Sequence, residues 1–176
     1  MRLSLVLLLA FCWGGASLAQ WRSPDGAPIP DTEARKTVDG FGASLLVTPD
    51  PDWEAKWNTP SDVTPQFREA KTVKMGGKLT VLIFYANPKP DAANRISVRC
   101  DIRLKRPNGT LSVDLKDAAC AEGPLRGDPR NVRLAAPVIG FIGEPGDPLG
   151  EWRVEVSLTD AIRGTTVPVR TSFKLE

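Results

Sequence analysis

Side chains that could do acid–base, nucleophilic or metal chemistry are scarce in this sequence. The chain has no histidine, which is the usual general base near neutral pH and the commonest metal ligand. Ser-His-Asp and Cys-His catalysis, HExxH zinc sites and histidine copper sites are therefore excluded. The phosphate-binding GxxxxGK[ST] loop, the dinucleotide-binding GxGxxG loop and the GxSxG motif are also absent. We therefore expect that the protein is not an enzyme and that it binds no cofactor and no metal.

Paired carboxylates are the one remaining route to catalysis. Asp50, Asp52 and Glu54 are the closest acidic cluster, and glycoside hydrolysis uses two carboxyl groups about 5–10 Å apart. The same residues suit the start of a short helix, where acidic side chains cap the chain and favour the dipole. We favour the capping role and keep an Asp/Glu hydrolase as a remote alternative. Asp128 and Asp147 lie in Pro/Gly-rich loops without calcium-loop spacing, which indicates turn formation.

Residues 1–19 have the pattern of a secretory signal peptide. Arg2 precedes an apolar run over residues 3–13, and the small residues Ser17 and Ala19 predict cleavage after Ala19. The run is shorter than the roughly 20 residues that a membrane-spanning helix needs. We therefore expect a periplasmic or secreted protein that does not span the membrane after signal cleavage.

Charge and cysteine content narrow the partners further. Without Arg2, 22 basic residues face 21 acidic ones, so the exported chain has no broad basic field for nucleic acid or an anionic membrane. Two cysteines remain, Cys100 and Cys120, and two cysteines in an exported domain are expected to form a disulfide.

Alternation of apolar and polar residues dominates the chain after residue 67. The run at 79–85 is apolar on both faces, which predicts a central strand covered on both sides. Arg106-Pro107-Asn108-Gly109 predicts a tight hairpin turn. The segments that predict further strands are 41–47, 96–104, 111–115, 135–142, 152–158 and 167–175. Residues 121–131 predict a loop, and Pro168 predicts an edge or a bulge in the last strand.

The hairpin restricts how the disulfide can form. With the turn at 107–109, Cys100 lies opposite residue 115 or 116, and Cys120 would be about 13 Å further along a straight strand at about 3.3 Å per residue. Disulfide Cα atoms lie within about 7 Å of each other. Either the chain bends back over residues 116–119, or the strand register slips.

A short helix near 51–57 would place Trp53 and Trp57 on one face, four residues apart. Exposed, the two indoles would form a stacking platform for sugars or an anchor for a partner protein. Buried, they would hold the helix against the sheet, and we favour burial because a short helix depends on packing. Trp21 is a weaker candidate of the same kind.

The segment PGDPLGEWRVEV at 145–156, followed by Asp160 and Gly164, resembles the last hairpin of bacterial immunoglobulin-like domains. Trp152, which has no hydroxyl, stands at the position that resembles a tyrosine corner. Together with residues 48–57, the hairpin is similar to a group of small exported bacterial proteins of unknown function. The resemblance implies an immunoglobulin-like β-sandwich and carries over no activity.

The chain is thus expected to contain a signal peptide at 1–19, an irregular lead-in at 20–40 and an immunoglobulin-like domain at 41–176. The predicted fold is all-β: an antiparallel two-sheet sandwich of about seven strands with one short helix near 51–57. We expect a non-catalytic binding module that contacts another envelope or secreted protein, or alternatively a carbohydrate-binding domain. The candidate binding residues are Trp53, Trp57, Glu144, Asp147 and Leu149, and the loops at 144–150 and 121–131 are the candidate sites.

Overall fold

A computed structural model of the chain describes residues 21–22, 26–60 and 63–176. The predicted signal peptide lies outside these residues. Within them are ten strands and one short helix: β1 (Arg35–Val38), β2 (Phe41–Thr48), α1 (Trp53–Trp57), β3 (Thr72–Val73), β4 (Lys78–Ala86), β5 (Arg95–Lys105), β6 (Leu111–Pro124), β7 (Arg133–Leu134), β8 (Ile139–Ile142), β9 (Gly150–Asp160) and β10 (Thr165–Leu175). No helix in the described part of the chain is long and apolar enough to cross a bilayer.

The strands form two sheets that pack face to face. Sheet I has the order β1-β2-β4-β7, with β8 also paired to β4, and sheet II has the order β3-β10-β9-β5-β6. The strand pairs are antiparallel except for the two-residue contact of β3 with β10. The predicted all-β two-sheet sandwich is therefore confirmed, although it has ten strands rather than about seven.

The alternating runs supply the core between the sheets. In β5, β9 and β10 every second side chain is buried against sheet I, while the side chains between them face solvent or lie at the surface. Three aromatic rings interlock there: Phe141 lies 4.9 Å from Trp152 and 4.7 Å from Phe173 between ring centroids. Such edge-to-face contacts favour one packing arrangement of these rings over others.

Strand β4 is covered on both faces, as the sequence predicts. Val81 and Ile83 face the core between the sheets, while Leu82 and Phe84 belong to a second apolar cluster on the outer face of sheet I. Helix α1 lies on this second cluster through both of its tryptophans. The segment expected to be an irregular lead-in also contributes, because β1 pairs with β2 and Trp21 is buried in the second cluster.

The disulfide between Cys100 and Cys120 is present, with its Cα atoms 5.8 Å apart. It forms by register shifts and not by a reversal of the chain. Strand β6 continues without interruption to Pro124, but extra residues on β6 bring Ala118 opposite Cys100. Asp117, beside one of these bulges, has a φ of +48°. Residues 121–124 therefore belong to a strand, which corrects the predicted start of the loop at 121.

Of the predicted strand at 135–142, only residues 139–142 form a strand, β8, whereas β7 at Arg133–Leu134 precedes the predicted range; both strands pair with β4. Ala135 still donates its N–H to the carbonyl oxygen of Ile83 in β4 at 2.8 Å, but residues 136–138 leave the sheet, and Ala136 donates its N–H to the carbonyl oxygen of Cys120 at 2.9 Å. Pro137, which has no N–H, lies within the break. The interruption lets this segment cross towards β6 in the opposite sheet.

Pro168 lies on an open edge, as predicted. In β10 the N–H groups of Arg170 and Lys174 bond to the carbonyl oxygens of Glu33 and Lys71, away from β9. Because the β9–β10 register is continuous, Pro168 is oriented towards the same side by the two-residue period. Pro168 therefore lacks its N–H on the side of β10 that faces away from β9, where it breaks no bond to a neighbouring strand. A proline on this edge also discourages β10 from pairing with a strand of another chain.

We predict that replacing both Cys100 and Cys120 by serine lowers the free energy of unfolding by about 3 kcal/mol, because the unfolded chain loses a closed loop of 20 residues. Urea denaturation of the purified domain measures this loss. A reductant should lower the urea concentration at the midpoint of unfolding for the wild type and leave that of the double variant unchanged. Equal stability of the two proteins would contradict the prediction.

Candidate functional site

The two loops predicted as binding sites lie at opposite ends of the sandwich. The corner between β8 and β9, at residues 143–149, lies beside the β3–β4 turn, because Gly76 donates to the carbonyl oxygen of Gly143 at 2.7 Å. We call this end, with the turns at 74–77, 106–110 and 143–149, the apolar end. The loop that follows β6 contacts the β4–β5 loop, since Asn87 donates to the carbonyl oxygen of Pro129 at 2.7 Å. We call that end, with the loops at 87–94 and 125–132, the basic end.

Glu144 and Asp147 hold the corner by reciprocal hydrogen bonds. The N–H of Glu144 donates to Oδ2 of Asp147 at 3.0 Å, and the N–H of Asp147 donates to the carbonyl oxygen of Glu144 at 3.0 Å. Asp147 is therefore a turn-forming residue whose carboxylate is occupied within the corner. The turn leads into Leu149, which is 63% exposed to solvent.

Trp152 anchors the far side of the same corner. Its indole Nε1 donates a hydrogen bond to the carbonyl oxygen of Pro148 at 3.1 Å, while the residue is only 1% exposed. The guanidinium of Arg106 lies 5.7 Å from the centre of the ring. An indole N–H thus bonds back to the backbone a few residues upstream, which is the part that the phenol hydroxyl plays in a tyrosine corner.

Large apolar side chains are exposed at this end. Leu149 is 63% exposed, Ile142 47% and Met75 41%. The turn that carries Met75 is joined to the corner that follows Ile142, because the N–H of Gly143 donates to the carbonyl oxygen of Gly77 at 3.1 Å. A Cβ atom on Gly143 would lie 2.7 Å from a methyl group of the buried Leu175, so any larger residue there would have to displace the Leu175 side chain. Sequence patterns singled out Leu149 but missed Met75 and Ile142, because only the fold brings their turns together.

Trp53 and Trp57 lie against the outer apolar cluster of sheet I. The centre of the Trp57 ring is 5.3 Å from that of Phe84, and the centre of the Phe67 ring is 6.2 Å from that of Phe84. Both tryptophans are half-buried in this packing. Their position matches the structural role of holding α1 on the sheet.

Asp50 holds α1 through a buried ion-pair cluster and not through a helix cap. Its side chain is fully buried, and its oxygens accept from Lys56 Nζ at 2.7 Å and from Arg68 Nε at 2.6 Å. The backbone N–H of Arg68 donates to it as well, at 3.0 Å. The hydrogen bonds from Lys56 and Arg68 hold the pKa of Asp50 far below its ordinary value. The residue at the N-cap position is Asp52 and not Asp50, and its side chain makes no cap bond, which corrects the predicted capping role of Asp50.

A groove of about 480 Å³ crosses the outer face of sheet II. Its charged side chains are largely paired with each other: Glu33 with Arg170 at 2.7 Å, and Glu155 with Lys105 at 2.7 Å. Arg170 and Lys36 lower the pKa of Glu33. Glu33 is therefore held ionised, unlike the general acid of a glycoside hydrolase, whose pKa is raised.

A second buried carboxylate, missed by sequence reasoning, joins three loops at the basic end. Asp160 is fully buried and accepts hydrogen bonds from the N–H groups of Lys89 at 2.7 Å and Arg163 at 3.0 Å. The Arg163 guanidinium in turn donates to the carbonyl oxygens of Asp39 and Asn87, both at 2.9 Å. The Asp160…Gly164 segment of the resemblance motif is therefore a turn in which the side chains of Asp160 and Arg163 tie the neighbouring loops together. In the described ranges, no three potential ligands are grouped as a metal site.

Comparisons with known proteins give only distant structural likenesses. No protein-family model matches the chain, and no curated protein matches it. A family 123 glycoside hydrolase from Clostridium perfringens superposes with a TM-score of 0.40 and 10% identity, over 76% of this chain and 27% of the hydrolase. The alkylpurine DNA glycosylase AlkC from Pseudomonas fluorescens superposes with a TM-score of 0.42 and 12% identity, over 77% of this chain and 30% of AlkC. This chain thus spans less than a third of either enzyme.

Smaller β-rich domains superpose over most of their length. A FixG-related protein from Vibrio parahaemolyticus gives a TM-score of 0.38 and 12% identity, over 79% of this chain and 99% of that protein. The CARDB domain of a Pyrococcus furiosus protein superposes with a TM-score of 0.38 and 12% identity, over 84% of this chain and 99% of that domain. At these values the chain is assigned to no family, and its resemblance to exported bacterial immunoglobulin-like proteins stays a prediction.

We predict that Trp152→Phe lowers the free energy of unfolding by about 2 kcal/mol, since it removes the bond to Pro148 and leaves a smaller ring in the core. Trp152→Tyr keeps a donor at the tip of the ring and should lose less. Urea denaturation of both variants measures the difference. If the phenylalanine variant were as stable as the tyrosine variant, the corner hydrogen bond would contribute nothing.

The lowered pKa of Asp50 predicts a loss of stability in acid. Because its folded-state pKa lies below the unfolded value of about 3.9, its stabilising effect is complete above about pH 5 and is lost as the pH falls towards the folded-state pKa. The free energy of unfolding, measured from pH 7 to pH 2, should therefore fall more steeply for the wild type than for Asp50→Asn. Asp52→Asn, at an exposed position, is the matched control and should follow the wild type.

Proposed function

We propose that the protein is a non-catalytic binding module that contacts another exported protein through its apolar end. The observation that carries this proposal is the exposed Leu149 on a corner that is fixed by hydrogen bonds on both sides. Exposed apolar side chains on a well-ordered surface favour protein–protein contact. Met75 and Ile142 are further exposed apolar side chains at the same end of the sandwich.

The rigidity of the corner favours binding because little conformational entropy would be lost on association. Glu144 and Asp147 close the turn, Trp152 holds Pro148, and Gly143 packs closely on Leu175. A side chain that is already held in its binding position loses less freedom when a partner covers it. The partner surface that fits is an apolar one, because Leu149 offers no hydrogen-bonding group.

The proposed location is the periplasm or the exterior of a bacterial cell. The buried Cys100–Cys120 disulfide supports it, since disulfides persist in oxidising compartments. The signal-peptide pattern at 1–19 supports the same location. With a net charge of +2 for the full chain, neither nucleic acid nor a membrane surface is a favoured partner.

The two alternatives have less support. Carbohydrate binding needs aromatic faces open to the sugar, whereas Trp53 and Trp57 are engaged in packing with the outer apolar cluster. An Asp/Glu hydrolase would need accessible carboxyl groups, whereas Asp50 is buried with two cations and Asp52 lies within 3.4 Å of Lys56.

Site-specific photo-crosslinking tests the proposal. A benzophenone amino acid placed at Leu149 in the full chain, exported in its own host, should capture one major protein. Leu115, which is 37% exposed within β6 and lies in neither set of end loops, is the matched control position and should not capture it. Capture of the same set of proteins from both positions would count against a specific surface.

We further predict that Leu149→Asp weakens binding of the captured partner about 10- to 100-fold, because a leucine side chain contributes about 1.5–3 kcal/mol when it is buried. Isothermal titration with the purified partner measures the change. Leu115→Asp should leave the affinity unchanged. Unaltered binding of Leu149→Asp, with the fold intact by circular dichroism, would sink the proposal.

A further inference from the structure

The loop at 125–132 is built around one guanidinium group. Arg133 donates four hydrogen bonds of 2.7–3.0 Å to backbone carbonyl oxygens of this loop, those of Arg126, Asp128, Pro129 and Asn131. The planar fork of N–H donors in arginine suits such an arrangement, in which several acceptors converge from one side. Four carbonyl oxygens of the loop therefore point inward at Arg133.

The same geometry turns backbone N–H groups outward. In a trans peptide unit the C=O and N–H bonds point in opposite directions. Because the carbonyl of Arg126 points at Arg133, the N–H of Gly127 points away from it, at an exposed position with a φ of +68°. The N–H of Val132 points outward for the same reason. Outward N–H groups on a tight loop create a surface that favours anions.

Unpaired basic side chains lie on or directly beside the two adjoining loops of this end. Lys89, Arg95 and Arg126 are exposed, and in the part of the chain that the structure describes none of them has an acidic partner within ion-pair distance. The β4–β5 loop is fixed beside the β6–β7 loop, since Asn94 Nδ2 donates to the carbonyl oxygen of Leu125 at 3.0 Å.

The nearest carboxylates do not cancel this charge. Asp128 is bound by Arg130 at 2.8 Å, and this pairing lowers the pKa of Asp128 to about 2. Asp160 is buried and bound by Arg163 at 3.3 Å. The Asp91 carboxylate accepts the N–H groups of Ala93 and Arg95 within its own turn. The outer surface of the two loops is thus positive where it is open to a partner.

We propose that the paired loops at 87–94 and 125–132 bind an acidic segment of a partner polypeptide. The guanidinium of Arg126 and the N–H of Gly127 would receive one carboxylate, and Lys89 and Arg95 would attract its neighbours. This surface lies at the end opposite Leu149, so the inference does not rest on the proposed function.

A carboxylate-bearing partner fits this surface better than a phosphate polymer or a membrane does. The surface is small, carries paired acidic groups among its cations, and belongs to a chain of almost neutral charge. Nucleic acids and anionic membranes are held by wider fields of positive charge. The fork of arginine matches a carboxylate with two parallel hydrogen bonds.

Fluorescence anisotropy with a labelled octaglutamate peptide tests the inference on the whole exported chain. Saturable binding is expected at 20 mM salt, with at least a five-fold loss at 200 mM salt because exposed charges are screened. Arg126→Glu should weaken binding at least ten-fold. Lys78→Glu, which makes the same change of charge at an exposed position of the apolar end, is the matched control and should change it less than two-fold.

Arg133→Lys separates the shape of the loop from its charge. Lysine keeps the positive charge but cannot donate to four carbonyl oxygens, so a variant that remains folded by circular dichroism should bind octaglutamate several-fold more weakly. As a positioning residue, Arg133 would then act through the loop and not through its charge.

Three results would overturn the inference. The first is no binding of octaglutamate at 20 mM salt, and the second is an equal loss for Arg126→Glu and Lys78→Glu, which would indicate a general charge effect. The third is tighter binding of duplex DNA or of phosphatidylglycerol vesicles than of octaglutamate, which would assign the surface to phosphate groups. None of these results bears on Leu149, so the proposed function stands or falls separately.

Discussion

The structure depends on the burial of strand β4 on both of its faces. A strand that is apolar on one face needs one cover, whereas Leu82 and Phe84 on the outer face of β4 need a second one. Helix α1, Phe67 and Trp21 provide that cover, and the buried carboxylate of Asp50 ties the helix and the residue-68 segment together. A five-residue helix has little stability of its own. It forms because its tryptophans pack on the outer apolar face of β4.

Both candidate surfaces of the sandwich lie in loops at its ends and not on the faces of the sheets. Each end is held by a polar network that the sheets do not supply: Glu144, Asp147 and Trp152 at the apolar end, and Asp160 with Arg163 at the basic end. Backbone groups in turns need partners as much as those in strands do. Side chains that satisfy them also fix the loops, so that both ends present well-defined surfaces on a rigid body.

Much of the fold could be predicted because its main signals are local. The two-residue period in β5, β9 and β10, the hairpin turn at 106–109 and the double-faced run in β4 are visible in consecutive residues. The sites were harder to predict. Arg133 resembles any surface arginine in the sequence, and its role depends on four carbonyl groups that only a folded loop brings around it.

The all-β class, the burial of β4 on both faces, the pairing of the cysteines and the absence of histidine chemistry could all be inferred before the fold was known. These follow from composition and from patterns between near neighbours. The tertiary structure decided the register shifts that join Cys100 to Cys120, the break between β7 and β8, and the separation of the two candidate loops to opposite ends. Each of these depends on pairing between residues far apart in the chain, where the geometry of the partner strand sets the outcome and local propensity does not.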